Sequence, residues 1–220
     1  MGEWSSYAVR DFIPVTRDAY LRMLEQVSAA YGPLYLFMLA AALILVALTL
    51  TGRRHWAGLL LASIWGWVGY SFLLQFYAQR NWAGHWFAIA FYVQALLLAV
   101  IMGSVRDTLT APAALHGLGL MLCVAGLAWP LLTRIGRDGW SQVEVMGMHP
   151  DPTAVLTLGL GFLVLSGWRL WVTTAIPLFW CLLSGLTLGV LGLPQAKMLY
   201  GVIGIGLGAM VYGTIADRMK

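Results

Sequence analysis

Polar and apolar positions alternate along this chain on a scale of tens of residues. Charged side chains stand singly or in small groups, and between them the chain runs free of Asp, Glu, Lys and Arg through 26–52, 55–79, 81–105, 108–133, 152–168, 170–196 and 198–216. These stretches are 27, 25, 25, 26, 17, 27 and 19 residues long. A helix that crosses a bilayer needs about 20 mostly apolar residues. Because lipid offers no partner to an open backbone, each stretch predicts one helix. Trimmed at their turn residues, the predicted spans cover 34–51, 56–77, 82–103, 113–133 (opening after Pro112), 152–167, 170–192 and 198–216. Pro177 is expected to kink the sixth. The one long connection is an external loop over 134–151.

Residues 1–33 are more polar. Thr16 is a helix-capping residue, Asp18 falls in the first turn where the helix dipole favours an acid, and Tyr20, Leu24, Val27 and Tyr31 recur at helical spacing. This pattern predicts an amphipathic helix at the membrane surface or over the bundle mouth, with Gly32-Pro33 as a break; the alternative is a direct extension of the first span. The expected fold is therefore all-α, an integral membrane bundle of seven transmembrane helices (34–220) preceded by an N-terminal amphipathic helix (1–33). No internal repeat is apparent.

Composition sharpens this. Only 10% of the 220 residues are charged, against 60% hydrophobic, and no length of chain is left for a soluble catalytic domain, so an enzyme is not expected. The formal charge of +4 comes from basic residues scattered at helix ends. They read as topology determinants, and nucleic acid is excluded as a partner. Beyond the N-terminal segment, Arg53, Arg54, Arg106, Arg169, Arg218 and Lys220 fall on one side, and Arg80, Arg134, Arg137 and Lys197 on the other. This bias places the chain in the inner (cytoplasmic) membrane with an external N-terminus and a cytoplasmic C-terminus. The charged residues of the first thirty positions leave no secretory signal, so the N-terminus is expected to be retained. Cys123 and Cys181 both lie in apolar stretches, which excludes a disulfide framework.

With that orientation the polar turns gather at the external mouth. Arg80, Asn81 and His85 follow the second span, and Leu193 to Lys197 follows the sixth. The long loop carries Glu144, Met146, Met148, His149 and Asp151, two thioethers, an imidazole and two carboxylates within eight residues. Thioether and imidazole suit copper, and imidazole with carboxylate suits other transition metals. A local reading competes for the same groups: Asp151 caps the fifth span ahead of Pro152, and the methionines fold onto the membrane surface. Inside the spans, Gln94 is the best-placed polar candidate, for a ligand or for a bond between helices. No acid or base is expected at mid-membrane depth, which argues against a buried proton relay. Glycines in the fourth, sixth and seventh spans favour tight helix packing.

The string Trp65-Gly66-Trp67-Val68-Gly69-Tyr70, leading to Phe76-Tyr77-Ala78-Gln79-Arg80-Asn81-Trp82-Ala83, and the later His149-Pro150-Asp151-Pro152-Thr153, resemble an uncharacterised family of prokaryotic multi-pass membrane proteins. The family pattern has an aromatic-x-x-x-Asn-x-Ala turn after a tryptophan-rich helix, and Pro-Cys-Pro-Thr opening the fifth span. Asp151 stands here in place of that cysteine. The resemblance implies the membrane fold and the importance of the Asn81 and Pro150 to Thr153 turns, and supplies no reaction. The function expected from the residues is the handling of a small solute or ion, a transition metal such as copper among the candidates, at the external face. The alternative is a non-catalytic accessory subunit, whose partners are the bilayer and other membrane subunits or a second copy.

Overall fold

The computed structural model describes residues 15–104 and 113–218, without the side chains of 113, 114 and 216–218. Residues 1–14, Arg106, Pro112 and Lys220, used in the reading above, lie outside the described residues. The elements are helices α1 (Arg17–Leu50), α2 (Arg54–Val68) running on into a π-helix (Gly69–Tyr77), α3 (Gly84–Ile101), α4 (Ala113–Leu127), α5 (Trp129–Arg134), α6 (Pro150–Val164), α7 (Gly167–Val190) and α8 (Gln195–Arg218).

Among the described residues five helices are long and apolar enough to cross a membrane: α1, α2 with its π-helical extension, α3, α7 and α8. The fourth and fifth charge-free stretches instead give the 15-residue helices α4 and α6. At 1.5 Å per residue each is about 22 Å long, short of a hydrocarbon core of about 30 Å.

The N-terminal segment and the first span form one helix. Thr16 caps α1 as its sequence suggests, its hydroxyl accepting from the amide of Ala19 at 3.3 Å. The helix then passes through Gly32-Pro33 without a break. Proline removes one backbone donor, but the remaining hydrogen bonds of a 34-residue helix hold its two halves together. Glycine in the left-handed region closes α1 at Gly52 and α7 at Gly192. In each case the following amide reaches back five residues, Arg53 to Leu48 and Leu193 to Leu188.

Three antiparallel helix pairs organise the bundle, and glycine sets their spacing. In α2/α3, a Cβ on Gly58 would lie 2.6 Å from the Met102 Cβ; in α7/α8, Tyr200 lies against Gly185 and donates to its carbonyl at 3.0 Å. The tightest is α4/α6, where a Cβ on Gly159 would meet the backbone of Cys123 and of Gly119 at 2.7 Å. Helix α6 is the axis of the molecule, and every residue from Gln142 to Leu165 is buried. Trp65 of α2 anchors it by donating to the Thr157 hydroxyl at 2.8 Å, while its ring meets that of Phe91 of α3 in a tilted contact with centroids 4.3 Å apart.

Candidate functional site

The connection from α5 to α6 turns inward and fills the open end of the bundle. Two glycines in the left-handed region, Gly136 and Gly147 (both φ +80°), let it do so. At Gly147 only hydrogen fits, because a Cβ would lie 2.8 Å from the Met38 sulfur. The turn it makes is held from both sides: the Gly147 amide donates to the Thr153 hydroxyl at 2.9 Å, and that hydroxyl donates to the His149 carbonyl at 2.7 Å.

Glu144 is the polar centre of this plug. Its carboxylate accepts from the Tyr20 hydroxyl of α1 at 2.9 Å, the Trp129 indole of α5 at 3.0 Å and the Arg137 guanidinium at 2.6 Å. Both ions are buried. Burial alone would raise the Glu144 carboxyl, but Arg137 foremost, with the hydrogen bonds it and Trp129 donate, holds it below the usual carboxylate range. Arg137 also donates to the Gln142 carbonyl, and Gln142 donates to Glu25 of α1 at 2.8 Å. The two charges are thus paired and share hydrogen bonds with their neighbours, the condition under which charge is tolerated in an interior, while the Arg137 Nε is buried without a partner.

Asp151, in the first turn of α6, has a different environment. It does not cap the helix: the N-cap is His149, with no side-chain bond. Its two oxygens instead accept from α7, from the Trp180 indole and from the Ser184 hydroxyl, both at 2.8 Å. Both donors are neutral, and among the described residues no basic side chain makes a salt bridge to it. Burial, reinforced by the Glu144 charge, outweighs those hydrogen bonds and pushes the carboxyl up to about 7.

His149 completes the group. Its Nδ1 accepts from the Val145 amide at 3.0 Å, which leaves the proton of the neutral ring on Nε2. Burial drives its pKa down to about 4 against the pull of Glu144, so the ring is neutral at pH 7. Nε2 is buried and has no protein partner.

These groups border a cavity of about 220 Å³. Glu144, His149, Asp151 and Ser184 supply its polar lining, with Asn81 at the turn after the π-helix. Phe72, Tyr77, Trp82, Phe87 and Trp180 supply an aromatic wall. The π-helix, whose bonds run i to i+5, brings the rings of Phe72 and Tyr77 to within 6.3 Å of one another.

The structure brings Asn81, Glu144, His149 and Asp151 together, and separates the other residues singled out from the sequence. Arg80 lies beside the mouth, where its guanidinium donates to the Phe76 carbonyl and to Gln26 of α1. His85 is exposed on α3 and does not border the cavity. Gln94 is buried against α7. Met146 and Met148 are wholly buried rather than folded onto a surface. Among the described residues no group of three His, Cys, Asp or Glu is placed to hold a metal ion; both Glu144 oxygens are already engaged. Arg137, Glu144 and Asp151 are all buried in the plug. They arrive through the loop, which hydropathy assigns to water. Tyr20, Trp129, Arg137 and Trp180 were not singled out as site residues. The only signal for them in the sequence is opposite charges seven residues apart between apolar segments.

Over residues 17–219 the chain matches the family described as a family of unknown function (DUF6064). No curated protein and no solved structure matches it.

Proposed function

Since the chain belongs to DUF6064, a family that brings no activity with it, we propose from the geometry of the site that the protein binds a small solute in the cavity between the π-helix, α3, α6 and α7. One observation carries this reading. The cavity is bordered by buried polar groups whose capacity is unspent, the His149 Nε2–H and the uncompensated Asp151 carboxyl, inside an aromatic wall. A concave, largely apolar pocket with a few convergent polar groups and shifted titrating residues is the usual form of a ligand site.

The same reading sets the protein in the inner membrane. Helices α4 and α5 together span Ala113 to Arg134, about 33 Å of helix, and α6 is sheathed by protein along its length and needs no lipid-matched span. Seven segments then cross, with the N-terminus and the cavity mouth external, as the basic residues at the helix ends favour. Equilibrium dialysis of purified protein against a panel of small cationic, neutral and anionic solutes tests the binding. Thr187, at the cavity edge, provides the control: Thr187→Trp fills the space and is expected to abolish binding. A panel without a single binder, or binding indifferent to Thr187→Trp, would overturn the proposal.

A further inference from the structure

Resting on the solute-cavity reading, the geometry points to the class of occupant: a small organic ammonium ion that carries a hydroxyl oxygen, an amino alcohol of the choline or ethanolamine type. The charge balance of the lining leads there first. Glu144 is neutralised by Arg137, Asp151 has only neutral donors, and among the described residues neither lysine nor arginine borders the cavity. An anion would meet carboxylate with nothing to compensate it, whereas a cation would supply the counter-charge that Asp151 lacks.

The wall discriminates among cations. Ring faces attract an ammonium through their quadrupole and suit methylated or alkylated nitrogen better than a compact hydrated metal ion. Here Phe72, Tyr77, Phe87 and Trp180 stand in a chain of ring contacts. Centroids are 6.3 Å apart for Phe72 and Tyr77, 6.0 Å for Tyr77 and Phe87 and 5.6 Å for Phe87 and Trp180. Trp82 forms the exposed rim.

The oxygen is required by the donors. The His149 Nε2–H is buried without an acceptor. The Tyr77 hydroxyl accepts from Asn81 at 3.1 Å and so keeps its own proton to give. A ligand hydroxyl a few bonds from the nitrogen would satisfy one of these donors while the ammonium faces Asp151. A ligand carboxylate would satisfy them too, but would repel Asp151 and Glu144. Size agrees: a cavity of about 150 Å³ holds benzene, so 220 Å³ holds an amino alcohol of similar or slightly larger bulk. Such a group reaches the site as a free solute or as the headgroup of a membrane lipid.

Full-length protein in a maltoside detergent is titrated calorimetrically at pH 8 with choline, ethanolamine, acetate and 3,3-dimethylbutan-1-ol, the neutral carbon isostere of choline. Saturable binding of choline or ethanolamine is expected, with the isostere at least about tenfold weaker. Asp151→Asn should weaken the ammonium by a similar factor. Trp82→Leu, at an exposed position that does not endanger folding, should weaken it several-fold. In parallel, thermal unfolding is compared in nanodiscs of phosphatidylglycerol with and without phosphatidylcholine or phosphatidylethanolamine. Stabilisation by the latter lipids that Asp151→Asn and Trp82→Leu remove, without binding of the free amino alcohols, identifies the headgroup as the source. Equal binding of the isostere and choline, or unchanged affinity in both variants, overturns the ammonium assignment and leaves the solute cavity standing. Absence of binding by every compound and lipid overturns the ammonium assignment, and the dialysis panel then decides the cavity separately.

Discussion

The side-chain amide of Gln94 in α3 donates to the carbonyl oxygen of Thr173 in α7 at 2.8 Å, and Thr173 is the residue four positions before Pro177. In an unbroken helix that carbonyl would be taken by the amide of residue 177, which proline lacks. The polar residue within the third span and the proline within the seventh helix of the chain are thus two halves of one feature, a vacated acceptor and the donor that fills it. Gln94→Leu should destabilise the protein by about 1–3 kcal/mol, the cost of an unsatisfied buried carbonyl. Pro177→Ala restores the amide, so the cost of Gln94→Leu should shrink in that background. A double-mutant cycle of thermal unfolding measures the difference, and additive effects would exclude the relationship.

Glycines of similar appearance should differ sharply in what they tolerate. A Cβ at Gly159 would lie 2.7 Å from the amide of Cys123 and the carbonyl of Gly119, whereas a Cβ at Gly117 would meet nothing within 4 Å. Gly159→Ala is expected to cost about 1–3 kcal/mol by forcing α4 and α6 apart. Gly117→Ala should be neutral or slightly stabilising, since alanine is the better helix former. Unfolding midpoints of the two variants check the contrast.

How far the sequence spoke for the structure depended on the physical source of each feature. Length and hydropathy located the five helices long and apolar enough to cross a membrane, because lipid-length apolar runs have few other solutions. They did not show that α4 and α6 are each shorter than a hydrocarbon core is thick, since hydropathy cannot separate an apolar helix facing lipid from one enclosed by protein. Gly32-Pro33 suggested a break because a local rule was applied where a long helix overrides it. At the site, Asn81, Glu144, His149 and Asp151 were visible as polar residues in turns, yet their partners were not. Tyr20 reaches Glu144 across 124 positions of sequence and Trp180 reaches Asp151 across 29. Contacts of that kind depend on the inward path of the loop, which two glycines of positive φ permit.

Glu144 and Arg137 should behave as a unit. Glu144→Ala leaves a buried guanidinium without its counter-ion, and strips the Tyr20 hydroxyl and Trp129 indole of their acceptor. A loss of about 3–5 kcal/mol is expected, enough to prevent folding of a marginally stable protein. Removing the charge as well, in Arg137→Met with Glu144→Ala, should recover part of that loss. Yields of monodisperse protein and unfolding midpoints for the single and double variants are the measurement, and a double variant worse than Glu144→Ala alone would contradict it.

The pH dependence of the site should be carried by Asp151. The titratable and charged groups that act on or border it are Tyr20 from α1, Tyr77 from the π-helix, Arg137, Glu144 and His149 from the plug, and Cys181 from α7. Glu144 is held low by Arg137, and His149 titrates only near 4. Between pH 5 and 8, therefore, Asp151, raised to about 7 by burial, is the plug and α6 group that changes charge. In the empty protein its folded pKa stands above the unfolded value, so the folded state binds the extra proton and stability falls as pH rises from about 4 through 7. Choline, whose charge is fixed, must displace that proton. Its affinity should be level above pH 7 and should weaken below it, approaching about tenfold per pH unit, as one proton exchanged per ligand requires. Asp151→Asn should flatten both profiles. Affinity that is constant from pH 5 to 8 in the unmodified protein would show that Asp151 does not face the ligand.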